Sequence, residues 1–493
     1  MTNDLDGLVA EVLAQYQGPE HAVLRALITQ LVALNESLAA RVAELEAELK
    51  RHSGNSSQPP SADTLAQRQA QKARREAWTK KGKRKRRPGK QPGSPGAHLA
   101  QVEHPDAVVP HAPEVCGGCG SPLTEAEVVG SETRQVFDLP EPKVVVTEHV
   151  AQRRRCSCGC ISSGAFPPEA SAPAVFGPVV HGVAAYFLVH QHLPVARTAQ
   201  CLSEVLGVPV STGWVASLLP RAEELLCEFS KDLRARLVAS PVIGNDETGA
   251  RIAGERYWFH DATTELLTLI TCHKARGRVG MEAAAVLPEF KGISVHDRYA
   301  QYWTFPCMHS VCNAHLLRDL AAVAETRSQE PWAEAMAHLL LSAKKRTDAS
   351  RERGKDSLSS QQRRRIARAY DEIVTRAIRA NPDPLLLGRR RRTKSERESA
   401  NLALAFSTLK AEILRFCENL AVPFTNNGCE RGFRMVKIRQ KVSGCYRTYR
   451  GAEAFCATWS YLSTARKHGQ SPLGVLISMF RGTPWAIPDP VPG

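Results

Sequence analysis

The strongest constraint on the fold is a series of short apolar runs in the middle of the chain, each followed by a polar turn. Runs at 242–246, 257–260 and 266–271 have the length of β-strands, and glycine and charged residues separate the first run from the second. Short apolar runs bounded in this way are typical of antiparallel strands joined by tight turns. The sequence therefore predicts a three-stranded meander.

Two apolar runs in this region end on an aspartate. Asp246 closes the first run, and we expect it near the end of the first strand, with its carboxylate projecting from the sheet. A helix predicted at 281–290 leads to a fourth run, 292–297, which ends on Asp297. Neighbouring strands that end this way can place both carboxylates at one sheet edge, where they repel each other unless a cation lies between them. A divalent metal ion is the natural partner of such a pair.

A third acid follows in a segment with helical character. Asn426 is a candidate helix cap, which places Glu430 in the first turn of the helix. Asn427 follows Asn426 directly. A basic face follows at helical spacing. Its residues are Arg431, Arg434 and Lys437.

The three acids lie in segments that resemble the Asp-Asp-Glu motifs of the insertion sequence 66 (IS66) family of transposases. These segments are DETG at Asp246, HDRYAQY around Asp297 and TNNGCERGFR around Glu430. A further segment, CNAHLLRDL at 312–320, resembles another motif of that family. The similarity extends in order from NSSQPPSAD near residue 55 to STARKHGQSPLGVL near residue 470.

The resemblance implies a ribonuclease H-like α/β catalytic core, with two magnesium ions held by Asp246, Asp297 and Glu430 and manganese as a substitute in vitro. It implies cleavage of DNA at the ends of a bacterial insertion sequence, followed by strand transfer to target DNA. It also suggests that His315 and Arg318 support the active site or its DNA. In such a site the basic face of Arg431, Arg434 and Lys437 could grip the scissile DNA strand, and Asn426 and Asn427 could orient it. Accessory proteins encoded by the same element are a further implication.

The charge of the chain agrees with a nucleic-acid partner. Its 493 residues include 65 lysines and arginines against 50 acids, for a net charge of +15. Such an excess points to a polyanion, most often DNA or RNA. No apolar run is long enough to span a bilayer, and no signal peptide is apparent at the N-terminus, so we expect a cytoplasmic, nucleoid-associated protein.

Residues 1–52 have the pattern of a coiled coil. Leucines recur at steps of three and four, and the pattern continues after one extra four-residue step, which is a stutter. The apolar positions are Leu24, Leu27, Leu31, Leu34, Leu38, Val42, Leu45 and Leu49. We expect this segment to pair two copies of the chain; the alternative is an amphipathic helix packed on its own protein.

Residues 53–112 are predicted to form a flexible basic linker. They have no apolar periodicity, and lysines and arginines crowd together before RPGKQPGSPG. A block of one charge cannot bury a core, so we expect a mobile arm that contacts phosphates without sequence preference. The residues at its centre are Lys83, Arg84, Lys85, Arg86 and Arg87.

Residues 113–170 are predicted to form a small zinc-binding module. Cys116 and Cys119 form a Cys-x-x-Cys pair, strands are expected at 133–139 and 143–152, and Cys156 opens a second cysteine cluster. Two thiolate pairs that bracket a hairpin can hold one tetrahedral zinc ion. The fourth ligand is open between Cys158 and Cys160.

The rest of the chain completes a multidomain α+β architecture. Residues 171–240 indicate helices with a turn at Gly207 and a cap at Ser211, as in a helix-turn-helix. The catalytic domain is expected at 241–440, with a helical insertion at about 325–415 that contacts DNA through its arginines, and helices close the chain at 441–493. Two other functions fit these parts: a non-catalytic DNA-binding regulator, and a nuclease of ribonuclease H-like fold that never joins strands.

Overall fold

The computed structural model of the chain describes residues 18, 21–49, 63–69, 99–139, 141–325, 329–383 and 394–489. Helix α1 spans Ala22–Leu49, which confirms a helix in the N-terminal segment. Its leucines at 27, 31 and 34 each expose more than half of their surface. Pairing of two such helices stays a prediction. None of the helices described here is both long and apolar enough to cross a membrane.

The basic arm that contains Lys83, Arg84, Lys85, Arg86 and Arg87 lies outside the described residues. Residues 99–139 and 141–152 carry no strand, so the strands predicted at 133–139 and 143–152 are wrong over their described residues. Their apolar side chains, such as Val136, are mostly exposed and have no partner sheet to pack against. The only ladder described in this region joins β1 (Arg153–Arg155) to β2 (Ile161–Ser163).

A group of helices follows this module. They are α2 (Pro178–Ala185), which continues through a π-type turn at Tyr186–His190, α3 (Val195–Leu206), α4 (Thr212–Leu225) and α5 (Cys227–Ala239). Gly207 ends α3 in the left-handed region with a φ of 65°. The Ser211 hydroxyl caps α4 by accepting a hydrogen bond from the Trp214 amide at 3.1 Å. The predicted turn and cap are confirmed; a DNA-reading role for these helices stays a prediction.

The central sheet has five strands in the order β5-β4-β3-β6-β7. The strands are β3 (Val242–Ile252), β4 (Glu255–Thr263), β5 (Thr268–His273), β6 (Ile293–His296) and β7 (Met308–Val311). The first three form an antiparallel meander, as predicted. β6 and β7 run parallel to β3 on its other side.

The helix predicted at 281–290 is shorter and begins earlier than expected. Helix α6 spans Arg278–Ala283, and the chain then leaves helical geometry at Ala285, which has a φ of 55°. A left-handed residue cannot continue a right-handed helix, which explains the early end. The remaining apolar residues, including Phe290, are buried in turns.

The insertion predicted at about 325–415 is helical over most of its described residues, as expected. After α7 (Asn313–Ala324) come α8 (Glu330–Arg351), α9 (Ser360–Arg379), α10 (Lys394–Thr408) and α11 (Lys410–Glu418). Their apolar faces form one core with β6 and β7. The insertion therefore packs against the β6–β7 side of the sheet.

The C-terminal part is also helical and closes the other side of the sheet. Its helices are α12 (Asn427–Ser443), α13 (Tyr449–Lys467) and α14 (Pro472–Phe480). Side chains of α13 form hydrogen bonds with the backbone of the edge strand β5. The Ile270 amide donates to the Ser460 hydroxyl at 2.9 Å, and the Thr268 amide donates to the Thr464 hydroxyl at 3.1 Å. These bonds cover strand groups that an exposed edge would leave unpaired.

Candidate active site

Asp246 lies in the middle of β3, so the expectation that the strand ends near it is wrong. β3 continues to Ile252 because residues 247–252 pair with β4, and Asp246 itself lies opposite Asp261. On its other side β3 pairs with β6 only as far as Gly244, opposite Val295. Asp246 therefore lies just beyond the end of the parallel pairing.

Asp297 is the first residue after β6, as the sequence predicted. Continuing the parallel register by two residues places it level with Asp246. Its carboxylate Oδ1 accepts a hydrogen bond from the Tyr299 amide at 2.7 Å, which fixes the turn after the strand. The described part of the chain thus brings Asp246 and Asp297 to the same place on the sheet.

The electrostatics of Asp246 favour a cation. Burial raises the pKa of its carboxyl well above the ordinary 3.8, and the charges of Glu247, Asp297 and Asp261 raise it further. The Glu247 amide donates to Asp246 Oδ1 at 2.9 Å and opposes this shift. A bound cation would relieve the repulsion, and carboxylate oxygens are the donors that magnesium prefers.

Glu430 lies in the first turn of α12, where the sequence placed it. Its side chain is outside the described part of the structure. α12 packs on the face of the sheet that carries Asp246, because Gly432 of the helix lies against Asp261 on that face. Among the described residues, no three His, Cys, Asp or Glu side chains converge as a metal site.

Asn426 holds the start of α12 against the central strand. It occupies the N-cap position, but its side chain makes no capping bond; the Nδ2 group donates to the Asn245 carbonyl at 2.7 Å instead. Gly244 permits this contact, because a Cβ there would lie 2.2 Å from Asn426 Oδ1. Asn426 is buried, whereas Asn427 is exposed.

The predicted basic face of α12 is exposed along its length. Arg431, Arg434 and Lys437 all lie at the surface of the helix. The Lys437 ammonium donates to the Gly249 carbonyl, which ties it to β3. Burial and the nearby Arg256 lower the pKa of Lys437. The arrangement offers cationic groups beside the acids.

Glu247 is a buried acid that the sequence analysis missed. It accepts hydrogen bonds from the Tyr302 hydroxyl at 2.6 Å and from Arg276 Nη2 at 2.8 Å. The Arg276 guanidinium also lies over the rings of Trp258 and Tyr299, at 4.8 and 4.2 Å from their centroids. Strand alternation could have indicated that neighbours in the Asp-Glu pair face opposite sides of the sheet.

Asp261 is a second buried acid that the sequence did not indicate. It is 3% exposed, and the Cys429 thiol of α12 lies within hydrogen-bonding reach of its carboxyl, which opposes the effect of burial on its pKa. Burial raises its pKa to about 8, against the opposing charge of Lys467. Its position opposite Asp246 follows from strand register, which only the fold reveals.

His315 and Arg318, assigned a supporting role by resemblance, lie on α7. The same helix carries Asp319, which forms a salt bridge with Arg298, the residue after Asp297. The charges of Arg298, His315 and Arg318 oppose the rise that burial causes in the pKa of Asp319. α7 therefore contacts the turn that holds Asp297.

The predicted zinc ligands lie in two separate turns, and the structure does not bring three of these described thiols together as a metal site. In the first, the Cys119 thiol lies 3.4 Å from the Ser121 hydroxyl, which lowers the pKa of that thiol to about 7. In the second, hydrogen bonds from Cys158 lower the pKa of Cys156. Cys160 closes the second turn through a backbone bond with Cys156 at 2.8 Å. A lowered pKa favours the thiolate that binds zinc.

Comparisons with known families match three parts of the chain. The family model described as Transposase IS66 family matches residues 174–454, which include all three acids. The zinc-finger binding domain of transposase IS66 matches residues 113–159. A family of unknown function matches residues 14–100. No curated protein matches the chain.

Proposed function

The chain belongs to the IS66 family of transposases, and on that premise we propose that it is the transposase of a bacterial insertion sequence. It binds the ends of the element and catalyses magnesium-dependent DNA cleavage and strand transfer. The observation that carries this proposal is the placement of Asp246 and Asp297 side by side where β6 ends, with repulsion that a cation would relieve.

The strand order supports a ribonuclease H-like core for this chemistry. One acid lies on the central strand β3 and one directly after the parallel strand β6. The third acid, Glu430, lies on α12, which packs on the face of the sheet that carries Asp246. Three distant segments of the chain thus approach one edge of the sheet.

In the proposed mechanism, Asp246, Asp297 and Glu430 would hold two magnesium ions, which would supply charge stabilisation for the attacking and leaving oxygens. The Tyr299 amide keeps the Asp297 carboxylate in place. Arg431 and the rest of the basic face position the scissile strand by binding its phosphates. Water as the nucleophile gives cleavage, and a DNA 3′-hydroxyl gives strand transfer.

We assign one structural zinc ion to the module matched by the zinc-finger family, with Cys116, Cys119, Cys156 and Cys158 as ligands. The choice of Cys158 over Cys160 rests on a parallel between the two turns. Cys119 and Cys158 each precede a glycine with positive φ, 75° at Gly120 and 90° at Gly159.

The partners in this proposal are double-stranded DNA, as element end and as target, and a second copy of the chain through α1. Accessory proteins of the same element belong to the proposal because the family resemblance implies them. A DNA substrate of this kind places the protein at the nucleoid, in the cytoplasm.

Nicking of a duplex oligonucleotide that carries the terminus of the element tests the proposal. With magnesium we expect strand cleavage by the full chain, and joining to a second duplex when a 3′-hydroxyl end is supplied. Asp297→Asn and Asp246→Asn should each lower cleavage by about a thousandfold, because an amide cannot replace a carboxylate as an anionic ligand. Asp371→Asn, an exposed acid on α9, is the matched control.

The products separate the proposal from its two alternatives. Cleavage without joining would leave a nuclease that does not transfer strands. Binding of the terminus without any cleavage, in the wild type as in Asp297→Asn, would leave a DNA-binding regulator.

A further inference from the structure

A large groove lies between the helical insertion and the C-terminal helices. Its cavity volume is about 1260 Å³, and its floor contains Gly244 of β3 and Thr263 of β4. One wall is α8 with the turn that follows it, the second is the first half of α12, and the third is the end of α13. The sequence suggested DNA contacts for the insertion and for α12 separately, but it did not indicate that both line one groove.

The walls of the groove are strongly cationic. Seven basic residues line it against three acids, an excess of four positive charges. Of the basic residues, Lys344 and Arg351 form salt bridges with Asp348. The Lys467 ammonium donates to the Thr263 hydroxyl and to the Thr264 and Leu267 carbonyls. The other four cations have no ion-pair partner among the described residues; they are Lys355, Arg431, Arg434 and Arg466.

These unpaired cations come from all three walls. Lys355 follows α8, Arg431 and Arg434 lie on α12, and Arg466 lies near the end of α13, and all four are exposed. Hydroxyl and amide groups between them, such as those of Thr264, Ser463 and Asn427, add hydrogen-bond partners. Separated cations interleaved with neutral polar groups suit a chain of phosphates.

The groove leads directly to the two paired acids. Gly244 lines it, and Asp246 lies two residues further along β3 on the same face, about 7 Å away at the usual strand rise. Arg431 also lines it and follows Glu430 in α12. A strand bound in the groove would therefore continue toward the candidate active site.

We propose that this groove binds the sugar–phosphate backbone of the DNA substrate beside the scissile phosphate, with Lys355 and Arg466 as contacts from opposite walls. The proposal rests on the proposed transposase function and adds a specific DNA track to it. It assigns the DNA contact of the insertion to Lys355, just after α8, whereas the sequence suggested contact through the arginines of the insertion.

The test is the salt dependence of binding by the full chain to a short duplex of arbitrary sequence. The double variant Lys355→Ala/Arg466→Ala removes one cation from each of two walls. We expect weaker binding and a slope of log K against log salt that is smaller by about two, because each lost phosphate contact lowers it by about one. The matched control is Lys345→Ala/Arg481→Ala, which removes the same charges from exposed positions outside the groove.

A charge-preserving variant guards against a folding effect. Lys355→Arg/Arg466→Lys should retain the wild-type slope, and its thermal unfolding should match that of the alanine variant.

Equal slopes for the groove and control alanine variants would overturn the groove proposal, even if the wild type nicks the element terminus with magnesium. A wild type that binds the duplex but never nicks would overturn the proposed catalysis, while the slopes still decide on the groove. A wild type that binds no DNA would overturn both.

Discussion

At the scale of single residues, Asp261 is a buried carboxyl opposite Asp246 that the fold keeps protonated to an unusually high pH. Its pKa is raised to about 8 by burial, so the folded protein holds this proton at pH values where the unfolded chain has released it. Between the ordinary pKa of 3.8 and about 8, folding therefore requires uptake of a proton. Stability from this group is present at low pH and is lost as the pH rises through that window.

Asp261→Asn should remove this loss of stability with rising pH. In metal-free buffer, the free energy of unfolding of the wild type should fall relative to that of the variant by about 1 kcal/mol per pH unit across the window. Urea unfolding at several pH values measures the difference. Asp106→Asn, an exposed acid in the described region, is the control and should leave the pH dependence unchanged. Parallel curves for wild type and Asp261→Asn would show that the carboxyl ionises normally.

Gly432 packs closely against the face of the sheet that carries Asp261, so a larger residue at this position would not fit without movement. A Cβ there would lie 2.4 Å from Asp261 Oδ2, so alanine would push α12 away from β4. We expect Gly432→Ala to lower stability by about 1–3 kcal/mol, despite the higher helix propensity of alanine. Gly213→Ala is the matched control, because its nearest neighbour lies 3.8 Å away. Thermal unfolding compares the two, and a Gly432→Ala protein as stable as the wild type would contradict the close packing.

At the scale of elements, the sequence indicated the strands of the central meander better than it indicated where they end. The polar residues after Asp246 suggested a turn, yet they continue β3 because each pairs with a residue of β4. The acids Asp246 and Asp297 were predictable, since both follow an apolar run. Glu247 and Asp261 were not, because their burial depends on which strands become neighbours.

The turn between β3 and β4 contains an alanine in an unfavourable backbone conformation. Ala253 and Gly254 form a two-residue loop with φ values of 51° and 84°, both in the left-handed region. Alanine is unfavourable there, whereas asparagine followed by glycine suits such a turn. Ala253→Asn should therefore raise stability by about 0.5–1 kcal/mol, measured by thermal unfolding. Ala250→Asn, at a buried strand position, should lower it instead.

The zinc-binding module carries a prediction about its fourth ligand. Cys158→Ser should lower the zinc content of the purified chain well below one ion per molecule, whereas Cys160→Ser should leave it near one, because the glycine after Cys158 repeats the geometry after Cys119. Atomic absorption after dialysis measures the content. The reverse order of the two variants would assign the ligand to Cys160.

At the scale of the whole molecule, two cores share one sheet. One core joins β3, β4 and β5 to α2–α5, α13 and α14, and the other joins β6 and β7 to the insertion. The helical character of the insertion was visible in its sequence. Its position was not, because contacts between segments about a hundred residues apart, such as Ser310 with the Glu412 carbonyl, leave no local pattern. The groove exists only because these two halves face each other.

The pairing of two chains is also a property of the whole molecule. Our proposal requires it because transposition acts on two element ends. α1 exposes Leu27, Leu31 and Leu34 by 53%, 56% and 56%, and an apolar stripe of this kind is stable in water when a second helix covers it. Replacing all three leucines by serine should therefore convert a dimer or larger assembly of the full chain into a monomer. Sedimentation equilibrium measures the mass.

The control for this prediction replaces Gln30 and Asn35 by serine, two exposed residues of α1 outside the leucine stripe, and should leave the mass unchanged. Monomeric wild-type protein at all accessible concentrations would contradict the pairing of α1. If the serine variant is monomeric and still nicks a single element terminus but no longer joins two ends, then α1 is needed to assemble two chains and not for the cleavage step.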